Sequence, residues 1–330
     1  MYACSTQEPS NPTAAKFVTT NPVTEITTTT AKCGGIQVNT ALEMFIGQGI
    51  VWSTSPSPTI FDFAIIVDAD NASFVCNLIE LSPNTKYYVR AFIVNQNGVV
   101  YGNEVSFTTL LNTGTFTDAR DGNVYNWVGI GNQIWMAENL KYLPSLASHA
   151  TEISPQIASY YYVNGYDGTS VSEAKETANY NTYGVLYNWN AAKGACPTGW
   201  HLPSDAEWTE MENYLADNGH NYDGTTRGER AKIAKSLAST NGWLSSASIG
   251  TIGNTDSPSY RNKSGFSGLP GGFRYANGLV IDAGYYGGWW SATAGDSNQA
   301  WSRVLFYNLG DVYRGIYDKE VGFCIRCVKD

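Results

Sequence analysis

Between positions 87 and 93 the side chains alternate strictly: Tyr87, Val89, Ala91 and Ile93 fall on one face of an extended chain, Tyr88, Arg90 and Phe92 on the other. That period fits a β-strand with one face in a core and conflicts with a helix, whose faces recur every 3.6 residues. Composition extends the reading to the rest of the chain. Only 15% of residues are charged, against 22 tyrosines, 10 tryptophans and 33 glycines, a balance that favours strands and long ordered loops over helical bundles. With 330 residues, 43% of them hydrophobic, two packed domains are expected.

The formal net charge is −9 and no run of Lys or Arg occurs, so the basic footprint needed to displace counterions from nucleic acid is missing. No apolar stretch approaches the ~18 residues that span a bilayer. Any membrane contact is therefore expected through an anchor. Residues 1–23 open Met1-Tyr2-Ala3-Cys4-Ser5 and continue into a tract rich in Thr, Ser, Pro and Asn, which reads as a flexible tether. A cysteine just after Ala and before such a tether resembles the mature start of a bacterial lipoprotein. That resemblance implies lipidation at Cys4 and a place at the cell surface or outer membrane.

Residues 24–109 form the first expected domain. The run Leu81-Ser-Pro83-Asn-Thr85-Lys-Tyr87 precedes the alternating strand, Asn97-Gly98 supplies a turn, and a closing strand runs from Val99 to Thr109. These features resemble a fibronectin type III domain, in which a corner tyrosine bonds back to upstream backbone. The fold expected is an all-β sandwich with Trp52 in its core. Cys33 and Cys76 would lie on neighbouring strands, either bridged or both buried as thiols.

A linker at 110–114 leads to the second expected domain, 115–330. It carries Ile130-Gly-Asn-Gln-Ile-Trp135-Met136-Ala-Glu-Asn139-Leu140, then Tyr183-Gly-Val-Leu-Tyr187-Asn-Trp189 and Cys196-Pro-Thr-Gly-Trp200-His201-Leu-Pro203. Further on come Ser264-Gly-Phe266-Ser-Gly-Leu269-Pro270, Trp289-Trp290-Ser291 and Gly322-Phe323-Cys324-Ile-Arg326-Cys327. In this order the runs resemble the Fibrobacter succinogenes major paralogous domain, whose members are similar to the formylglycine-generating, sulfatase-modifying enzymes. The resemblance implies an irregular α+β, C-type-lectin-like fold and a Cys196–Cys327 disulfide, with Cys324 left over. Locally, Ser204-Asp-Ala-Glu207 is a capping box for a helix that Asn218-Gly219 stops. A second helix is expected from about Arg227 to Ser239.

Catalytic signatures are weak. Formylglycine chemistry needs two cysteines together in a cleft, and Trp301 to Val321 contains none. Cys324-x-x-Cys327 reads as strand rather than a redox turn at a helix N-terminus. His149, His201 and His220 lack a zinc-ligand spacing, and His201 is expected to be a structural hydrogen-bonding residue. No metal site and no cofactor is expected, although structural calcium would fit the resemblance, with Asp217–Asp223 and Asp296–Asn298 as candidate loops that also read as ordinary turns.

Binding is the better class. Aromatic clusters stand at Tyr160-Tyr-Tyr162, Tyr285-Tyr286-Gly-Gly-Trp289-Trp290 and Tyr313 with Tyr317. Candidate ligand-binding residues are Tyr285, Tyr286, Trp289 and Trp290, with Arg274 and Asn277 on the neighbouring turn. The expectation is a non-catalytic surface lipoprotein with a spacer and a lectin-like head for a glycan or protein ligand. The alternatives are a surface enzyme, either a polysaccharide hydrolase or a formylglycine-generating-type oxidase, and a purely structural envelope protein.

Overall fold

A computed structural model of the chain describes residues 18–38, 45–68, 71–148, 158–281 and 283–330. Cys4 and most of the expected tether lie outside them. The chain divides into two compact units, Met1–Leu111 and Asn112–Asp330.

The first unit is a β-sandwich, consistent with the fibronectin type III-like domain expected. Its strands are β1 (Val18–Thr20), β2 (Ala31–Gln37), β3 (Phe45–Ser53), β4 (Phe63–Val67), β5 (Ser73–Leu78), β6 (Lys86–Asn95) and β7 (Gly98–Thr108). They form two sheets, ordered β1-β2-β5 and β4-β3-β6-β7. The alternation in β6 does what period two requires: Tyr87, Val89, Ala91 and Ile93 are buried in one core with Trp52, Phe74 and Leu78. The Tyr87 hydroxyl accepts the Ser82 N–H at 3.0 Å, which closes the corner before β6. Gly98, at φ +124°, makes the β6–β7 turn where a side chain would be strained.

One expectation is corrected here and one open alternative is decided. Residues 18–20 were expected in the tether, yet β1 pairs with β2, and the Thr20 hydroxyl accepts the Ala91 N–H at 2.8 Å. A Thr-rich segment therefore joins the sheet because its alternate residues Val18 and Thr20 find buried partners. Cys33 and Cys76 sit directly opposite each other on β2 and β5, but both are buried thiols rather than a bridge. The Cys33 thiol donates to the Asn21 carbonyl, and burial pushes its pKa up to about 11.

The second unit is α+β, with several small sheets and short helices. Its strands are β8 (Thr113–Thr117), β9 (Val124–Ile130), β10 (Gln133–Met136), β11 (Tyr161–Tyr162), β12 (Leu186–Tyr187), β13 (Trp200–His201), β14 (Phe273–Arg274), β15 (Val280–Ile281), β16 (Tyr286–Ala294), β17 (Gln299–Phe306), β18 (Tyr313–Asp318) and β19 (Val328–Lys329). The main sheet runs β13-β19-β10-β9-β8, and a separate one runs β16-β17-β18. Thr113 and Gly114, expected in the linker, already belong to β8. The helices are α1 (Val171–Glu176), α2 (Ala178–Tyr183), α3 (Trp189–Ala192), α4 (Asp205–Asp217) and α5 (Ala234–Leu237). As expected, α4 begins with a full capping box between Ser204 and Glu207 and buries Trp208, Met211 and Leu215. The second expected helix shrinks to α5. Arg227, Gly228 and Glu229 all have positive φ, which breaks helical continuity before Ala234. At the C-terminus the expected last strand is shorter too. Cys324 makes only an isolated bridge to Trp289, Cys327 precedes β19, and β19 begins at Val328.

What holds this irregular unit together is a buried polar node. Asn139 Oδ1 accepts from Arg326 Nε at 2.8 Å and from Trp289 Nε1 at 2.9 Å. Its Nδ2 donates to the Tyr183 carbonyl at 2.8 Å and to Cys324 Sγ at 3.3 Å. Arg326, fully buried, donates onward to the carbonyls of Met136 at 3.0 Å, Phe266, and Ser267 at 2.8 Å, and its guanidinium lies 4.6 Å from the Phe266 ring centre. Burial lowers its pKa to about 9, still above neutrality. The sequence runs singled out above thus meet at one point. The Cys196–Cys327 disulfide, with Cα atoms 5.9 Å apart, ties the Cys196-to-Pro203 run to the same C-terminal segment. A second buried polar contact fixes α4 on its sheet: Arg303 donates to Glu212 at 2.5 Å and to Asp205 at 2.7 Å.

Two stability predictions follow from these links. The disulfide closes a separation of 131 residues, for which loop-closure entropy gives about 4–5 kcal/mol as an upper figure. Reducing it, or replacing Cys196→Ala and Cys327→Ala together, should lower the melting temperature by roughly 10 °C in calorimetry. Arg326→Met would remove the guanidinium donor from three carbonyls and leave the Asn139 amide oxygen with Trp289 alone, and chemical denaturation should register a loss of roughly 3 kcal/mol or more.

Candidate functional site

Of the six residues the sequence pointed to, three are core. Trp289 is buried in a cluster with Trp208 and Phe266, at ring separations of 6.5 and 5.6 Å. Trp290 donates to the Tyr187 carbonyl at 2.8 Å and packs its ring 5.0 Å from Phe323. Arg274 is buried as well, its guanidinium 4.5 Å from the Tyr162 ring centre and donating to the Tyr275 carbonyl. The expectation of ligand contact fails for these three because the glycines beside the tryptophans let other segments close over them. A side-chain carbon on Gly288, for example, would come within 2.4 Å of the Phe323 ring.

The other three reach the surface. Tyr285 is 42% exposed, Asn277 is exposed and Tyr286 is half-buried. Tyr286 belongs to a continuous aromatic ribbon across β16, β17 and β18. Register dictates it: Tyr286 pairs with Phe306, Val304 with Tyr313 and Ala300 with Tyr317, so these rings share one sheet face. Ring centres lie 5.1 Å apart for Tyr286–Phe306 and 5.9 Å for Phe306–Tyr313, both edge-on. Tyr285 stacks on Tyr286 at 6.0 Å. Beneath, Phe273 joins Tyr286 to Tyr275 and Tyr317, at 5.7, 4.8 and 6.4 Å. Tyr313 and Tyr317 lean over Gly315, where an added Cβ would lie 2.4 and 2.9 Å from their rings.

One end of the ribbon opens into a groove of about 340 Å³ lined by Tyr275, Asn277, Gln299, Tyr317 and Asp318. There Gln299 Nε2 donates to Asp318 Oδ1 at 3.0 Å. Burial, then the neighbouring Tyr313, Tyr275 and Tyr286, push the Tyr317 phenol up to about 12, so it stays a neutral hydroxyl. The arrangement offers ring faces and edges bordered by hydroxyl, amide and carboxylate groups. Such a surface can bind. Tyr275 and Phe306 escaped the sequence reading, and only the β17 alternation around Phe306 could have signalled one of them. A second groove of about 570 Å³ lies beside the half-buried Trp127, whose ring covers its cross-strand partner Gly114, with Asn126, Glu138, Ser239 and Ser267 around it.

Other reactive groups are tied up structurally. His201 is held between Glu207 and Asp330, each at 2.7 Å. His220 shares a 2.7 Å hydrogen bond with Ser236, both are buried, and burial lowers the imidazole pKa to about 3. Burial raises the Cys324 thiol to about 12. In the two loops considered for calcium, the carboxylates of Asp223 and Asp296 have protein partners. Asp223 is taken by Lys232 and Thr225, each at 2.6 Å, and Asp296 Oδ1 by the backbone N–H groups of Asn298 and Gln299. Among the described residues no group of three or more His, Cys, Asp or Glu is placed to hold a metal, and no helix is long and apolar enough to cross a membrane.

No curated protein matches the chain. Solved structures similar to part of it include a computationally redesigned β-sandwich protein, 26% identical with a TM-score of 0.22 over 27% of this chain and 88% of that one. A myokine is 18% identical, TM-score 0.24, over 29% and 97%. The sensor domain of the anti-sigma factor RsgI4 from Pseudobacteroides cellulosolvens is 17% identical, TM-score 0.23, over 28% and 92%. The family comparison reaches much further along the chain: residues 128–329 match the Fibrobacter succinogenes major domain. That span holds the buried node, the disulfide and the aromatic ribbon, and by it the chain belongs to the Fibrobacter succinogenes major domain family.

Proposed function

We propose that this chain is a non-catalytic cell-surface protein whose C-terminal unit, a C-type-lectin-like head, binds a glycan through the aromatic ribbon, with the β-sandwich as its spacer. The observation that carries this reading is the row of partly exposed rings Tyr286, Phe306, Tyr313 and Tyr317 on one sheet face. Sugar rings present C–H faces that stack on aromatics, and their hydroxyls suit the Asn277, Gln299 and Asp318 groups at the groove. A protein ligand would draw on the same rings, but the polar groups clustered at the groove favour the glycan. The surrounding scaffold suits the task because the node and disulfide hold the loops and strands in one geometry before any ligand arrives.

The test is binding of the full-length chain to an array of bacterial, plant and host glycans. Positive glycans are then titrated against Tyr286→Ala, Tyr313→Ala and Tyr317→Ala. Each lost ring contact is worth about 0.5–1.5 kcal/mol, so each variant should weaken affinity between roughly two- and tenfold. Tyr313→Ala, at the most exposed of the three positions, should lower the melting temperature by only a few degrees. Silence across the array, or undiminished binding by all three variants, would remove the glycan reading.

The anchoring half of the proposal rests on the Cys4 sequence context. In cells, a clickable palmitate analogue should label the wild-type protein and not Cys4→Ala; an unlabelled wild type would exclude the anchor.

A further inference from the structure

The first unit carries an open sheet edge with a definite chemical pattern. β4 stands at the end of the order β4-β3-β6-β7, so among the described residues no strand pairs with its outer side. Sheet edges are ordinarily guarded by charge, proline or a bulge. β4 reads Phe-Ala-Ile-Ile-Val, and its register against β3 is unbroken. The guard is missing from the strand itself.

Its two faces differ. Phe63, Ile65 and Val67 point to the core side: Phe63 stacks on Trp52 at 5.7 Å, and Ile65 and Val67 pack against the sandwich core. Phe63 nonetheless stays 65% exposed, beside Phe61 at 94%. Continuing the alternation, the other face presents Asp62, Ala64, Ile66 and Asp68, all exposed. The two carboxylates bracket the strand six residues apart, about 20 Å along an extended chain. Asp62 Oδ2 also accepts the Thr59 N–H at 2.8 Å, which holds the turn into β4.

These carboxylates decide the occupant. A second copy of β4, paired antiparallel about Ile65, would set Asp62 opposite the partner's Asp68 and Asp68 opposite its Asp62, and directly opposed like charges destabilise a ladder. A strand with bases at those two places would instead gain at both ends. We propose that β4 is a docking edge for an extended peptide segment of a partner protein, with apolar residues at alternate positions and a Lys or Arg at each end, six residues apart. The apolar positions extend the sandwich core over Phe63, Ile65 and Val67, backbone hydrogen bonds extend the sheet, and the bases meet Asp62 and Asp68. This edge is independent of the glycan surface and belongs to the other unit.

The experiment titrates the full-length chain with the capped peptide Lys-Val-Thr-Val-Thr-Val-Lys and, as control, Glu-Val-Thr-Val-Thr-Val-Glu, and maps contacts by hydrogen exchange. The basic peptide should bind at least tenfold more tightly than the acidic one, weaken as salt rises, and slow exchange within residues 63–67. The double variant Asp62→Lys, Asp68→Lys should reverse the preference; because Asp62 also holds a turn, Asp68→Lys alone should reduce basic-peptide affinity several-fold at an unchanged melting temperature. Failure of the basic peptide to bind, equal binding of both peptides, protection elsewhere, or dimerisation of the free chain through β4 in sedimentation would each overturn the proposal.

Discussion

The side-chain amide of Asn139 is the contact on which the second unit depends. Within about 3 Å it receives an indole N–H and a guanidinium N–H, and it donates to a backbone carbonyl and, slightly further, to a thiol. These four partners come from three separate stretches of chain. A fold made of short strands and loops has few long ladders to hold it, so the cost of burying an arginine has to be met locally, by complete hydrogen bonding. Arg326 meets that condition with carbonyl and amide oxygens. The disulfide adds a covalent constraint on the same C-terminal segment.

This node changes what the family's sequence runs mean. Trp289, Trp290, Arg274, Asn139 and Arg326 look like binding residues because aromatic, amide and cationic side chains often are, but all are buried. Their chemistry is spent on the interior. The surface that can recognise something is built instead from Tyr275, Tyr286, Phe306, Tyr313 and Tyr317, the last four at the edges of a sheet face whose centre, Trp290, Ala300 and Val304, is buried. A rigid interior with an interchangeable outer face is how one scaffold can serve different ligands without changing its fold.

The first unit shows the opposite economy. Its core comes from ordinary period-two strands closed by a corner tyrosine, and its thiols act as small apolar side chains. What sets it apart is at the rim, where β4 leaves apolar residues open between two carboxylates. A spacer would be expected to guard such an edge.

Local physics made some elements legible in the sequence. The alternation of β6, the hairpin at Asn97-Gly98 and the capping box of α4 depend on neighbours a few residues away, and the structure keeps all three. The Cys196–Cys327 pairing was legible only through the family's recurring pattern, since 131 residues separate the two sulfurs in sequence. Burial was decided by tertiary structure alone. Nothing near Trp289 announces that Asn139 and Phe266 will close around it, and nothing near Phe306 announces that Tyr286 and Tyr313 will lie beside it, partly exposed. Helix length was decided the same way, because positive φ at Arg227 to Glu229 cut short a stretch whose apolar spacing suited a longer helix. The sequence by itself determined which segments could be strands, turns and caps, because those preferences act between adjacent residues. Which aromatic face would be left to meet a ligand depended on contacts between segments far apart in the chain, and those exist only once it has folded.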